Sequence, residues 1–249
     1  MSAKYCIKNF TKLDWIVVPG GPALSASYLK YGLTPFLSDL KLHFYNPLGT
    51  PESPVAGIPS IGDLVRQIFE VAEKNNLKNY GLITHSFGNY LAMQALTEKK
   101  ASVSALLMIS PMPFTSKNWH RAIKRLLEKI PKQILDKMEE LAQKPGNDLE
   151  IFDLCLPYYM AAPIKIPQFP FDFKMCHSIA SQVGEYDFTS LILSNRLPPW
   201  VCIMGEADPF FIEKELFTTN TIIIPNVGHY PFFENPEKFS RAIAQVRKI

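Results

Sequence analysis

The chain lacks any apolar run approaching the roughly 18 residues that a helical membrane span needs, so no such span is expected. Charge of one sign is also scarce. Against 26 Lys and Arg stand 23 Asp and Glu, and the resulting net charge of +3 is too small to point to a nucleic-acid partner. The 4 cysteines, Cys6, Cys155, Cys176 and Cys202, lie far apart with no C-x-x-C pair. That argues against a disulfide scaffold and for reduced, mostly buried thiols. No His/Cys group has metal-ligand spacing, so no metal is expected. The 12 glycines never form G-x-G-x-x-G and no P-loop lysine is present, so no nucleotide cofactor is expected either. Residues 1–14 alternate polar and apolar without the apolar centre of a signal peptide. The expected compartment is the cytoplasm, although secretion without a cleaved signal would leave the same pattern.

What the chain does have is a rhythm. Its 249 residues, 47% of them hydrophobic, suffice for one domain with a full core and an insertion. Short apolar runs occupy residues 15–18, 42–45, 80–83, 103–109, 200–204 and 221–224. Such runs, containing β-branched residues, suit strands buried on both faces of a parallel sheet. Helix-like stretches alternate with them. Ser60-Ile61-Gly62-Asp63 reads as a capping box ahead of Leu64, Ile68 and Val71, and Asn235-Pro236 places asparagine at N-cap and proline at the first helical position. The pattern predicts an α/β fold with one doubly wound, mostly parallel sheet. The rhythm breaks between positions 110 and 199. Residues 119–130 read as a basic amphipathic helix, 131–143 as another, and 152–188 are rich in Phe, Tyr, Pro and Met. We therefore expect residues 1–110 and 199–249 to form the core and 111–198 a helical cap, inserted between core strands, whose aromatic residues line an apolar pocket.

The pentapeptide Thr84-His85-Ser86-Phe87-Gly88 sits where the third apolar run passes into a helical stretch. A serine there is either a helix N-cap or a nucleophile displayed at the sheet edge, as in the G-x-S-x-G turn with Thr84 in place of the first glycine. A nucleophilic hydroxyl needs a base to take its proton and a third group to orient that base. Of the 5 histidines, His229, in the loop after the last run, is the candidate base. His43 lies inside an apolar run, His120 and His177 fall in the cap, and His85, as neighbour of the serine, is expected to point away from the active face. After the fifth run, Met204-Gly205-Glu206-Ala207-Asp208-Pro209 offers two acids. Asp208 is taken as the orienting carboxylate and Glu206 as a solvated loop charge. Candidate oxyanion donors are the backbone N–H groups of Phe87 and of Gly21, the latter in the turn Pro19-Gly20-Gly21-Pro22.

Taken together, these motifs resemble the α/β-hydrolase superfamily over essentially the whole chain, with the order Ser86, Asp208, His229 that such a triad takes on this fold. The segment 18–28 looks like the His-Gly-Gly-Pro-Gly oxyanion segment of proline iminopeptidase-like members. Residues 84–88 are similar to the family's elbow, 205–208 to its acid loop, 227–231 to its histidine loop, and 112–198 fill the place of its cap. The resemblance implies a serine hydrolase that forms an acyl-enzyme, with a small-molecule or short-peptide substrate: a small ester, thioester or amide with an apolar acyl part. An iminopeptidase-like aminopeptidase is the alternative. Its substrate amine would be held by cap carboxylates, for which Glu150, Asp153, Glu185 and Asp187 are candidates. Three departures stand out. Pro19 replaces the family's histidine, Tyr45-Asn46-Pro47-Leu48-Gly49 replaces its Asp-x-Arg-Gly, and the leading hairpin is reduced to one expected edge strand at residues 5–10. The first two weigh against aminopeptidase activity and leave open a ligand-binding protein without turnover. Ser86, where dehalogenases and epoxide hydrolases carry aspartate, argues against both. The oligomeric state is left open.

Overall fold

A computed structural model describes residues 7, 9–98, 102–194, 196–212 and 220–247. Each of the six apolar runs becomes a strand: β1 (Asp14–Val18), β2 (Lys41–Phe44), β3 (Tyr80–Ser86), β4 (Val103–Pro111), β5 (Trp200–Gly205) and β6 (Thr221–Ile224). They form one sheet in the order β2-β1-β3-β4-β5-β6, with every pairing parallel. Helices α1 (Ser27–Leu37), α2 (Ile61–Lys74) and α3 (Phe87–Thr97) connect the first strands. Between β4 and β5 come α4 (Ser116–Lys129), α5 (Lys132–Ala142), α6 (Asp148–Cys155), α7 (Phe173–Ala180) and α8 (Thr189–Leu193). After β6 the short α9 (Pro231–Glu234) leads into α10 (Pro236–Val246).

The apolar runs are continuous because both faces of the sheet are covered. Along β1, Trp15 and Val17 join the core under α1 and α10, while Ile16 and Val18 join the one under α2 and α3. All four are fully buried, and each such side chain contributes about 1.5–3 kcal/mol. The capping box at α2 forms: the Ser60 hydroxyl accepts from the Asp63 N–H, and the Asp63 carboxylate accepts from the Ser60 N–H at 2.9 Å. At α10, Asn235 Oδ1 accepts from the Lys238 N–H ahead of Pro236. Of the edge strand expected at residues 5–10, positions 5, 6 and 8 lie outside the described residues, and Phe10–Lys12 form a 3-10 turn. Among the described residues no helix is long and apolar enough to cross a membrane.

The strand order reverses direction between β1 and β3, since β1 leads outward to β2 on one side while β3 opens the other half of the sheet. The carboxyl ends of β1 and β3 thus flank a switch point, where α/β sheets leave a crevice for ligands. The segment between β4 and β5 folds over this crevice and is tied to the loop after β1. Leu24 and Phe171 form an antiparallel bridge, Ser25 N–H donates to the Pro170 carbonyl at 2.9 Å, and Asp172 N–H donates to the Ala23 carbonyl at 3.2 Å.

Candidate active site

Ser86 ends β3 with φ 53° and ψ −123°, and its side chain makes no cap bond to α3. A capping serine would be extended and would accept from the first-turn N–H groups, so Ser86 is not acting as a cap. This conformation costs on the order of 1–3 kcal/mol and persists only where the surroundings impose it. Here the Ser86 carbonyl accepts from the Met112 N–H at 3.2 Å, and the pairing with β4 shifts register between His85 and Ser86. The turn also needs Gly88, where a Cβ would meet the carbonyl oxygens of Val18 and Pro19. Alanine there would gain about 1 kcal/mol of helix propensity, but two backbone oxygens that cannot rotate away cost about 3 kcal/mol. Gly88→Ala is therefore expected to lower unfolding free energy by about 2 kcal/mol, seen as a lower urea midpoint at unchanged slope.

The loops after β5 and β6 bring an acid and a base together. His229 Nδ1 lies 2.8 Å from Asp208 Oδ2, with both side chains almost fully buried. Asp208 Oδ1 accepts from the Phe210 N–H at 2.8 Å, so its other oxygen is turned toward the ring. The His229 N–H donates to the Tyr159 carbonyl at 2.9 Å. Phe210 and Tyr159 stand against the imidazole, with ring centroids 4.9 and 5.5 Å from it. Glu206 is exposed, and among the described residues its carboxylate accepts a long 3.4 Å bond from the Asn226 N–H.

At the end of β1, Gly21 has φ +119°, a conformation that favours glycine. The Gly20 N–H is already used, donating to Tyr28 Oη at 2.7 Å, whereas Gly21 lines the same cavity as Ser86 and Phe87. Phe87 opens α3, where a first-turn N–H has no partner within its own helix. Asn46, in the segment that departs from the family pattern, supports this loop: its Oδ1 accepts from the Ala26 N–H at 2.9 Å. The position of His85 corrects the expectation that it points away. Its ring lies 4.8 Å from that of His229, its Nε2 is 3.0 Å from the His229 carbonyl oxygen, and it lines the cavity. Strand alternation does send His85 to the face opposite Thr84, but the His229 loop arrives on that same face.

The cavity holds about 100 Å³ and is lined by Ser86, His229, Gly21, Phe87 and a largely aromatic wall that includes Trp119, Phe152, Tyr159, Phe171 and Phe210. Its described lining includes no Asp, Glu, Lys or Arg. Burial pushes the Cys155 and Cys176 thiols up to about 12 and raises the Tyr28, Tyr159 and Tyr230 phenols. Burial, and then the neighbouring His229, hold His85 well below the usual histidine range. These lining groups are therefore neutral near pH 7. Cys155, Cys176 and Cys202 are free thiols, while Cys6 lies outside the described residues. Among the described residues no three His, Cys, Asp or Glu side chains gather as a metal ion would need.

A fold of this topology, with a serine at a strained strand-to-helix turn beside a buried His–Asp pair, can be compared with known proteins. Residues 15–242 match the model of the alpha/beta hydrolase family. The chain belongs to the α/β-hydrolase family. It is 27% identical over 140 residues to a proline iminopeptidase of Heyndrickxia coagulans, a match covering 55% of this chain and 48% of that protein. The match thus spans about half of the relative's length. The fold is similar to that of a proline iminopeptidase-related protein from Thermus thermophilus, with TM-score 0.69, 20% identity, and 95% and 91% of the two chains covered. A thermophilic esterase from Thermogutta terrifontis superposes with TM-score 0.62 at 17% identity, covering 94% and 88%.

In this α/β hydrolase several site residues were not legible in the sequence. Glu234, in α9, accepts three backbone N–H bonds: from Gly228 at 2.8 Å, Ala161 at 2.8 Å and Tyr230 at 3.0 Å. It clamps the His229 loop to the segment that follows Tyr159. The only hint was an acid five residues after the histidine, which by itself has no such meaning. The four carboxylates considered for an amine, all between β4 and β5, are exposed, and none lines the cavity. Glu150 pairs with Lys137, Asp153 accepts from Gln168, Glu185 accepts from the Ser116 hydroxyl, and Asp187 accepts from the Thr189 N–H.

Proposed function

We propose that the protein is a serine hydrolase for short, uncharged acyl esters or thioesters, acting through an acyl-enzyme on Ser86. The observation that carries this reading is that Ser86, in a strained conformation with no capping role, lines one cavity with His229, whose ring is paired with the buried Asp208. Asp208 accepts from His229 Nδ1–H, which leaves Nε2 as the free lone pair. His229 then takes the Ser86 proton as Oγ attacks the acyl carbonyl carbon. The carbonyl oxygen becomes an oxyanion held by the Gly21 and Phe87 N–H groups. Collapse breaks the bond to the leaving alkoxide or thiolate, which takes the proton from His229. Water, deprotonated by the same histidine, then releases the acid and restores Ser86. The segment 111–198, with Trp119, Phe152 and Tyr159 over the cavity, serves as the cap that keeps bulk water out.

Two features of the cavity define the acyl part. Its volume, about 100 Å³, is below the roughly 150 Å³ that houses a benzene ring, so the group is short. Among the described residues its walls include no Asp, Glu, Lys or Arg, and an ammonium buried there without a partner costs several kcal/mol. That weighs against an aminopeptidase, despite the relative of that name. With p-nitrophenyl acetate, butyrate and octanoate, kcat/KM is expected to fall by about tenfold or more between butyrate and octanoate. Prolyl arylamide is expected to react no faster than its N-acetyl form. A strict requirement for the free amine would overturn the ester reading in favour of the aminopeptidase.

A further inference from the structure

Tyr28, in the first turn of α1, and His85 join the two loops that flank Ser86 through a buried chain of hydrogen bonds. The Gly20 N–H donates to Tyr28 Oη at 2.7 Å, Tyr28 Oη and His85 Nδ1 are 2.7 Å apart, and His85 Nε2 lies 3.0 Å from the His229 carbonyl oxygen. The direction of every bond follows from the groups present. A carbonyl oxygen only accepts, so His85 Nε2 carries the hydrogen. Full burial against a second imidazole holds His85 neutral, so its Nδ1 is a lone pair. Tyr28 therefore donates to His85, and its oxygen remains to accept from Gly20. No donor faces a donor anywhere along the chain.

Support at this point matters because Pro19 brings neither an N–H nor a polar side chain to the turn. Gly20 packs directly against the nucleophile: a Cβ there would meet Ser86 Cβ and Tyr28 Oη at 2.9 Å and the His85 carbonyl oxygen at 3.0 Å. One residue further on is Gly21, the candidate oxyanion donor. At the other end of the chain, the held carbonyl belongs to His229 itself. We propose that Tyr28 and His85 are positioning residues that hold the oxyanion loop and the histidine loop in register about Ser86. This rests on the acyl-transfer reading above. Removing the Tyr28 hydroxyl leaves the Gly20 N–H and His85 Nδ1 unpaired in a buried place. It also removes the donor that keeps His85 in the tautomer that binds the His229 carbonyl.

The test compares wild type, Tyr28→Phe and His85→Asn. Initial rates with p-nitrophenyl acetate are normalised to fluorophosphonate-titrated sites, so that a loss of folded protein does not count as a loss of rate. Misplaced oxyanion donors act on the transition state, so Tyr28→Phe is expected to lower kcat by about 10- to 100-fold with KM within about twofold. His85→Asn, which removes the donor to the His229 carbonyl, is expected to fall in the same direction. Unchanged kcat per titrated site in Tyr28→Phe overturns the proposal, whereas a wild type that neither labels nor turns over overturns the acyl-transfer reading itself. A second readout is independent of turnover. Long-range 1H–15N NMR, with His85 assigned by its absence in His85→Asn, is expected to show a neutral ring protonated at Nε2 near pH 7. Tyr28→Phe is expected to shift its Nδ1 resonance. A ring protonated at Nδ1 contradicts the bond directions and overturns the proposal whatever the rates.

Discussion

Ser86→Ala is expected to lower kcat by about 10⁵- to 10⁶-fold, with a residual rate from the oxyanion donors and binding alone. The size of the loss follows from the reaction having no other nucleophile to use. Cys155 and Cys176 also line the cavity, but burial pushes both thiols up to about 12, so neither supplies a thiolate near neutral pH. The fold should be untouched, because the Ser86 side chain makes no cap bond to α3 and alanine tolerates the same backbone angles about as well as serine. Initial rates measured beside a thermal melt separate the two effects: activity disappears while Tm stays within about 2 °C.

Asp208→Asn is expected to cost on the order of 10⁴ in kcat. The reason lies in how the carboxylate is shared. Oδ1 accepts from the Phe210 N–H at 2.8 Å, and Oδ2 faces His229 Nδ1 at 2.8 Å. An asparagine satisfies the Phe210 N–H only by placing its oxygen there, which turns its NH₂ toward the ring. His229 Nδ1 must then accept, its hydrogen moves to Nε2, and the atom that should take the Ser86 proton already carries one. The imidazolium also loses its counter-charge. Glu206→Gln provides the contrast: this acid is exposed and, among the described residues, its carboxylate accepts a long bond from the Asn226 N–H, so kcat is expected to stay within about twofold of wild type. Equal losses in the two variants would remove Asp208 from its role.

The fold was legible because its cause is local. Runs such as 80–83 are apolar throughout since both faces of β3 are covered, and the Ser60–Asp63 box and the Asn235-Pro236 pair mark helix starts by bonds made within one turn. Where the candidates Ser86, Asp208 and His229 sit in the fold was legible for a related reason: Ser86 ends β3, and the other two lie in the loops after β5 and β6. The surroundings of His229 were not. His85 meets the His229 carbonyl across 144 residues of sequence, and the rule that neighbours on a strand face opposite ways says nothing about which loop will land on the far face. Glu234 reaches Gly228 and Tyr230 only because α9 turns back on the loop, and it reaches Ala161 only because the inserted segment passes there. Glu150, Asp153, Glu185 and Asp187 were visible as charges, but their outward direction depends on how α4 to α8 pack, which no local spacing encodes.

The central claim is that Ser86 is a competent nucleophile, and covalent labelling tests it without knowledge of the substrate. Wild-type protein treated with a fluorophosphonate is expected to gain one adduct, found by peptide mass mapping on Ser86 alone and absent in Ser86→Ala. No adduct on folded wild-type protein, or an adduct that persists in Ser86→Ala, would contradict it.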